Sequence, residues 1–233
     1  MLNTSFGLKT AVCLTASVLL GISASAAIIY DNTETFQGVV TAEPNNTEIG
    51  DVVVFGGTDR ILQSFQFEYF LGGATGGNEM AQVFLRAMDG PGTTTPGTLL
   101  WSSAAFNITS GYHTINIDGT GVTLPNSVAW TVNFSGLEAH PETPAADDES
   151  AGLLFYLDSN TQGGTNPTVF DAVTGNQQHY TIRRDAAGGW ELLNHPNVVD
   201  NLGARFTAVP EPGTWALILG GLATLGVLRR RKS

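Results

Sequence analysis

The chain is poor in cysteine, in charge and in lysine. Its one cysteine is Cys13, which excludes an intrachain disulfide and any cysteine-built zinc cluster. Charged residues make up 13% of the 233 residues, about half the usual share of a soluble domain. Residues 28–208 contain no lysine at all, so no phosphate-cradling glycine loop there can end in Lys-Ser or Lys-Thr. Cations are scarce throughout: 10 Lys+Arg face 21 Asp+Glu, a formal net charge of -11. Acidity of that size excludes nucleic acid as a partner, because phosphate binding needs a basic face. Apolar runs are short, and none reaches the about 20 residues of an ordinary membrane span. Glycine, by contrast, is plentiful at 28 residues, which points to turns. The length is enough for one full domain or two small ones, and no internal repeat divides it.

Both ends are patterned. Residues 1–27 begin with one positive charge, Lys9, continue through an apolar run at 11–22, and finish in Ser23, Ala24, Ser25, Ala26 and Ala27. This is the layout of a secretory signal peptide. Small side chains at −3 and −1 allow cleavage after Ala26 or after Ala27. Either cut removes Cys13, so the mature protein has no thiol. The implied partners are the Sec machinery and signal peptidase.

At the other end, Val209, Pro210, Glu211 and Pro212 precede an uncharged apolar run at 214–228 that starts Thr214-Trp215 and is closed by Arg229, Arg230, Arg231 and Lys232. The two prolines break the backbone out of the preceding structure. As a helix the run covers only about 22 Å, less than a ~30 Å hydrocarbon core. Three features nonetheless favour a short transmembrane helix over a soluble one. No polar stripe runs along it. Trp215 suits the outer interface. The cations can snorkel to headgroups, and their placement on one side sets that side in the cytoplasm.

In order and composition, residues 209–232 resemble the PEP-CTERM sorting signal of exported bacterial proteins. That resemblance implies recognition by an exosortase, a membrane protease with a catalytic cysteine. Pro210, Glu211 and Pro212 are then read as substrate. Release from the inner membrane to the cell surface or extracellular matrix follows, in bacteria that make exopolysaccharide and biofilm.

The middle, residues 28–208, holds five arginines and 20 acids, a net of −15. Period-two alternation recurs in it. Phe65, Phe67 and Tyr69 alternate with Ser64, Gln66 and Glu68; Val83, Leu85 and Ala87 with Gln82, Phe84 and Arg86; Ile115 and Ile117 with Thr114 and Asn116. Val128, Trp130, Val132 and Phe134 share one face of a further run, and 153–157 and 179–183 are shorter runs. Phe84 makes both faces of the second run apolar, the mark of a central strand. Gly72-Gly73, Gly76-Gly77, Gly90, Gly119, Gly163-Gly164 and Gly188-Gly189 fall between runs. Residues 138–150 read as a Pro- and acid-rich loop. No glycine-free stretch of ten or more residues repeats apolar positions at helical spacing. The expected fold is all-β, a β-sandwich or jelly roll, between a signal peptide and one short C-terminal transmembrane helix. The stretches Leu85-Arg86-Ala87-Met88-Asp89-Gly90 and Gly97-Thr98-Leu99-Leu100-Trp101 also resemble choice-of-anchor domains, a type of β-sandwich ectodomain found with such anchors.

Chemistry in the middle is sparse. There is no Gly-x-Ser-x-Gly elbow and no zincin helix. His113, His140, His179 and His195 are scattered, and two of them precede proline. No catalytic or metal-binding residue is therefore assigned, and no cofactor is expected. Glu68 and Glu79 are the carboxylates a secreted polysaccharide hydrolase would need to bring together. Calcium is the one cofactor with any pattern. Asp158-Ser159-Asn160-Thr161-Gln162-Gly163 starts like an EF-hand loop, but Val169 stands where the closing glutamate belongs. Asp147-Asp148-Glu149 is a second acidic run. For sugar contact, Trp101, Tyr112, Tyr156, Tyr180 and Trp190 offer rings, with Trp190, Tyr180 and Trp101 singled out and Trp130 assigned to the core. The function expected is a non-enzymatic structural or adhesive surface protein, with carbohydrate or calcium binding as the alternative.

Overall fold

A computed structural model of the chain describes residues 25–41, 45–73, 76–91, 95–138, 149–157, 162–165, 168–170, 177–179, 181–184, 187–193 and 200–211. Among these residues there is no α-helix, and no helix long and apolar enough to cross a membrane. The expected signal peptide before residue 25 and the helix expected at 214–228 lie outside the described residues, as do His140, Tyr180, His195 and Trp215.

The strands in chain order begin with β1 (Ala27–Asp31), β2 (Phe36–Val40), β3 (Thr47–Val54), β4 (Ile61–Gly72), β5 (Met80–Ala87) and β6 (Leu99–Ser102). They continue with β7 (Phe106–Asn107), β8 (Gly111–Asp118), β9 (Ser127–Ser135), β10 (Ser150–Leu157) and β11 (Thr168–Phe170). The last are β12 (Gln177–His179), β13 (Thr181–Arg184), β14 (Trp190–Leu192), β15 (Asp200–Leu202) and β16 (Ala204–Val209). They build two seven-stranded antiparallel sheets. Sheet I runs β1-β16-β4-β10-β15, with β8 on the other edge of β4 and β2 beside β10. Sheet II runs β14-β13-β3-β9-β5-β6, with β7 also on β5. A separate pair, β11-β12, stands apart from both.

The alternation decides which side chains face inward. Along β4, Phe65, Phe67, Tyr69 and Leu71 are buried while Ser64, Gln66, Glu68 and Phe70 point outward. Along β9, Val128, Trp130, Val132 and Phe134 are fully buried. The two inner faces interlock through their rings. The Trp130 indole on sheet II packs at 5.4 Å from Phe65 and 6.2 Å from Phe67 on sheet I. Phe206 then joins Phe65 at 4.6 Å and Phe55 at 5.0 Å. Such pairs add about 0.5–1.5 kcal/mol each beyond the area they bury. With no disulfide available, this aromatic layer and the ladders hold the sheets together.

One inward-pointing carboxyl group also bridges the layers. Asp51 on β3 is fully buried; its Oδ1 accepts the Val52 N–H at 2.7 Å and its Oδ2 accepts the Leu202 N–H of β15 at 3.1 Å. β3 thus shows no period-two alternation, because it is buried along nearly its whole length on both faces. The run expected at 179–183 is instead the end of β12 and most of β13. β5 lies between β9 and β6, as its two apolar faces required.

The first and last strands are neighbours. Ala27 of β1 pairs with Ala208 of β16, and Val209 pairs with Ile61 of β4. Both patterned ends of the chain therefore leave sheet I at the same end.

Candidate functional site

At that end, the strand carries the chain directly into its C-terminal motif. Val209 is the last residue of β16, Pro210 is half-buried and Glu211 is exposed. Proline has no N–H to give a ladder, so Pro210 ends the strand. Pro212 and the residues after it lie outside the described residues.

The outer face of sheet I carries rings drawn from four strands. Tyr112 on β8 is 59% exposed and Phe36 on β2 is 37% exposed. Their ring centroids are 5.8 Å apart. Phe70, opposite Tyr112 on β4, lies 4.6 Å from it. Tyr156 on β10, opposite Phe36, lies 5.8 Å away. Beside the rings sits Glu68. Its carboxylate accepts the Thr114 hydroxyl at 3.2 Å and, through its other oxygen, the Tyr156 hydroxyl. Gln66 and Asn116 pair across β4 and β8 in the next row.

Gly203 makes this arrangement feasible. A Cβ there would stand 2.4 Å from the Tyr156 ring, so only glycine lets the phenol lie over the backbone and reach Glu68. Burial, then the hydrogen bond to Glu68 and its negative charge, push the Tyr156 phenol well above the ordinary tyrosine range.

The outer face of sheet II is built differently. Glu48 on β3 is nearly buried and receives Arg86 at 3.1 Å, Arg184 at 3.0 Å and the Thr131 hydroxyl at 3.1 Å. Both guanidiniums also lie against the Trp190 ring, at 5.6 Å and 5.7 Å, and Arg86 against Phe84 at 5.4 Å. Beneath them Trp190 caps a small cluster of Val52, Ala129 and Ile182. Of the rings singled out for sugar contact, Trp190 is thus engaged by two cations. Trp101 packs against the main core and pairs with Leu85. The structure does not bring the two together on the ring-bearing face of sheet I. Tyr112 and Tyr156 do lie there, joined by Phe36 and Phe70. Tyr112 and Tyr156 are among the rings the sequence offered, whereas no local pattern marks Phe36.

Glu68 and Glu79 sit in different surroundings. Glu79 is almost wholly buried and accepts the Gly77 N–H at 3.0 Å. Glu149 beside it accepts the N–H groups of Gly76 and Glu138, each at 2.9 Å. Burial works to raise the Glu79 carboxyl. Hydrogen bonds from the backbone of Glu79 and Gly77, the Glu149 side chain and the Gly76 backbone outweigh it, and the group sits below the ordinary glutamate value. These carboxylates tie down the Gly76-Gly77 loop. His113 stacks on Tyr69 at 5.3 Å, with Nε2 at 2.9 Å from the Ser110 carbonyl oxygen. No group of three His, Cys, Asp or Glu side chains among the described residues is placed to hold a metal ion. The acidic runs 147–148 and 158–161 lie outside them.

Comparison with known proteins agrees with the C-terminal pattern. The family model of the PEP-CTERM protein-sorting motif matches residues 208–232. No curated protein and no solved structure matches the chain. The matched segment opens on the last two residues of β16.

Proposed function

We propose that the chain is an exported protein sorted by an exosortase to the cell surface or extracellular matrix, where its β-sandwich has a structural or adhesive, non-enzymatic role. One observation carries the reading: the sorting motif starts where the folded domain's last strand ends. The domain and its sorting signal are then two adjoining units with no linker between them.

The sequence supplies the steps. The signal peptide at 1–27 directs the chain through the Sec machinery and is removed by signal peptidase. The apolar run at 214–228 holds the precursor in the inner membrane. Trp215 lies at the outer interface, and Arg229, Arg230, Arg231 and Lys232 keep the end in the cytoplasm. Exosortase reads Pro210, Glu211 and Pro212. The choice-of-anchor type of ectodomain fits this plan, and the two stretches that carry that likeness are joined as neighbouring strands, with Leu85 opposite Trp101. A non-enzymatic role is supported by the carboxylates. Glu79 is almost wholly buried and committed to the Gly77 N–H, which leaves Glu68 without it as a second acid or base at a glycosidic bond.

Replacing Pro210, Glu211 and Pro212 with alanine tests the sorting. Fractionation followed by immunoblotting should find the uncut precursor in the inner membrane. Normal processing of this variant would remove the exosortase from the account.

A further inference from the structure

We propose that the outer face of sheet I binds a neutral glycan chain across Tyr112, Phe36 and Glu68. Exposed rings alone would suit any apolar partner. Here they adjoin the hydroxyl, carboxylate and amide ends of Thr114, Glu68 and Asn116 on one face of an antiparallel sheet. That mixture matches a ligand with apolar C–H faces and hydroxyl edges, which is what a pyranose presents.

Glu68 is an acceptor with capacity left. A carboxylate offers about four lone-pair sites, and the Tyr156 and Thr114 hydroxyls take two of them. The rest can accept sugar hydroxyls. The Tyr156 hydroxyl keeps its proton and donates its hydrogen bond to Glu68, and so acts as a positioning residue that holds the carboxylate in place.

Charge selects the class. Glu68, Asp118 and Asp31 lie on this face with one cation, Arg205, which Asp31 pairs at 2.7 Å, and residues 28–208 carry a net −15. Uronate-rich or sulfated polymers are repelled, and a neutral chain is not. Placement agrees as well. Phe70 lies nine positions along β4 from Ile61, the partner of Val209. At ~3.3 Å per residue the rings stand about 30 Å from the point where the chain enters the sorting motif. A molecule held at its C-terminus therefore presents them outward.

The test is affinity electrophoresis of the full chain in a polyoxyethylene detergent, which has no sugar headgroup. The gels contain soluble xyloglucan, galactomannan, laminarin or hydroxyethyl cellulose, with alginate as the anionic control. Because binding is read on purified protein, it stands or falls apart from sorting. Retardation by at least one neutral polymer and not by alginate is expected. Tyr112→Ala should weaken it about ten-fold and Glu68→Gln several-fold. Leu192→Ala, which removes an exposed apolar group from sheet II, should leave it unchanged. Circular dichroism of each variant confirms the fold. The proposal is overturned if the wild type passes every neutral gel unretarded, if alginate retards it equally, or if Tyr112→Ala binds as the wild type does. Sedimentation showing a dimer that Tyr112→Ala splits would also overturn it, giving the face to a second copy.

Discussion

Each outer face of the sandwich holds a carboxylate among aromatic rings, yet the two carboxylates are held in opposite ways. On sheet II, Glu48 is nearly buried, and two guanidiniums that also cover Trp190 saturate it. On sheet I, Glu68 is held by two neutral hydroxyls, and its neighbouring rings Tyr112 and Phe36 stay open. The first arrangement spends its aromatic and its charge on the fold. The second leaves both available. An exposed tryptophan in a sequence is therefore a poorer guide to a binding face than the question of which cations lie next to it. Arginine is scarce in this domain, and two of its five arginines converge on Trp190.

The contrast can be pressed by mutation. The largest effect belongs to Glu48→Ala, which strands the guanidinium of Arg86 and leaves Arg184 to the solvent it partly meets. Urea denaturation should show a loss of about 3 kcal/mol, with polysaccharide retardation unchanged at temperatures where the variant is folded. A loss of binding there would mean that the two faces are not separate in role.

Gly203→Ala comes next. The added methyl meets the Tyr156 ring, and the resulting overpacking should cost roughly 2 kcal/mol. Unlike Glu48→Ala, it should also weaken polysaccharide retardation, because the phenol that aims Glu68 is displaced.

Tyr156→Phe is the smallest and has a pH signature. Losing one hydrogen bond should cost about 1 kcal/mol at neutral pH. The folded phenol holds its proton above the unfolded value of about 10. Its contribution is therefore complete below that pH and lost as pH rises toward the folded value. Urea melts between about pH 9 and 11 should fall more steeply for the wild type than for Tyr156→Phe. Parallel curves would mean that the phenol is not specially held.

How legible was this in the chain? The inner faces of β4, β8 and β9 were plain, because in β4 and β8 only one side is turned to the core, and in β9 the large apolar residues keep to one side although Ala129 and Thr131 on the other are buried too. β3 was hidden because Thr47–Val54 is covered on both sides, which erases alternation. It also conceals Asp51, a carboxyl group no composition rule would place between two sheets. The match over 208–232 was fully legible, since such a signal is local in sequence. The ring-bearing face was not. Phe36, Phe70, Tyr112 and Tyr156 come from four distant segments, and only the pairing of β2 with β10, of β10 with β4 and of β4 with β8 gathers them. Register is a long-range property, and alternation within one strand says nothing of its neighbour. Trp190 stands out in sequence, but of the two arginines that lie against it Arg184 is six residues before it and Arg86 about a hundred, so that its surroundings also depend on strand pairing.

The pairing of β16 with β4 has a mechanical meaning. A pull applied at the rings against the C-terminal end of β16 would draw β4 and β16 past each other along their common axis. Every rung from Phe67–Ala204 to Ile61–Val209 is then strained at once, as in a lap joint, and none can be peeled singly. A domain closed this way resists shear by the geometry of its seam.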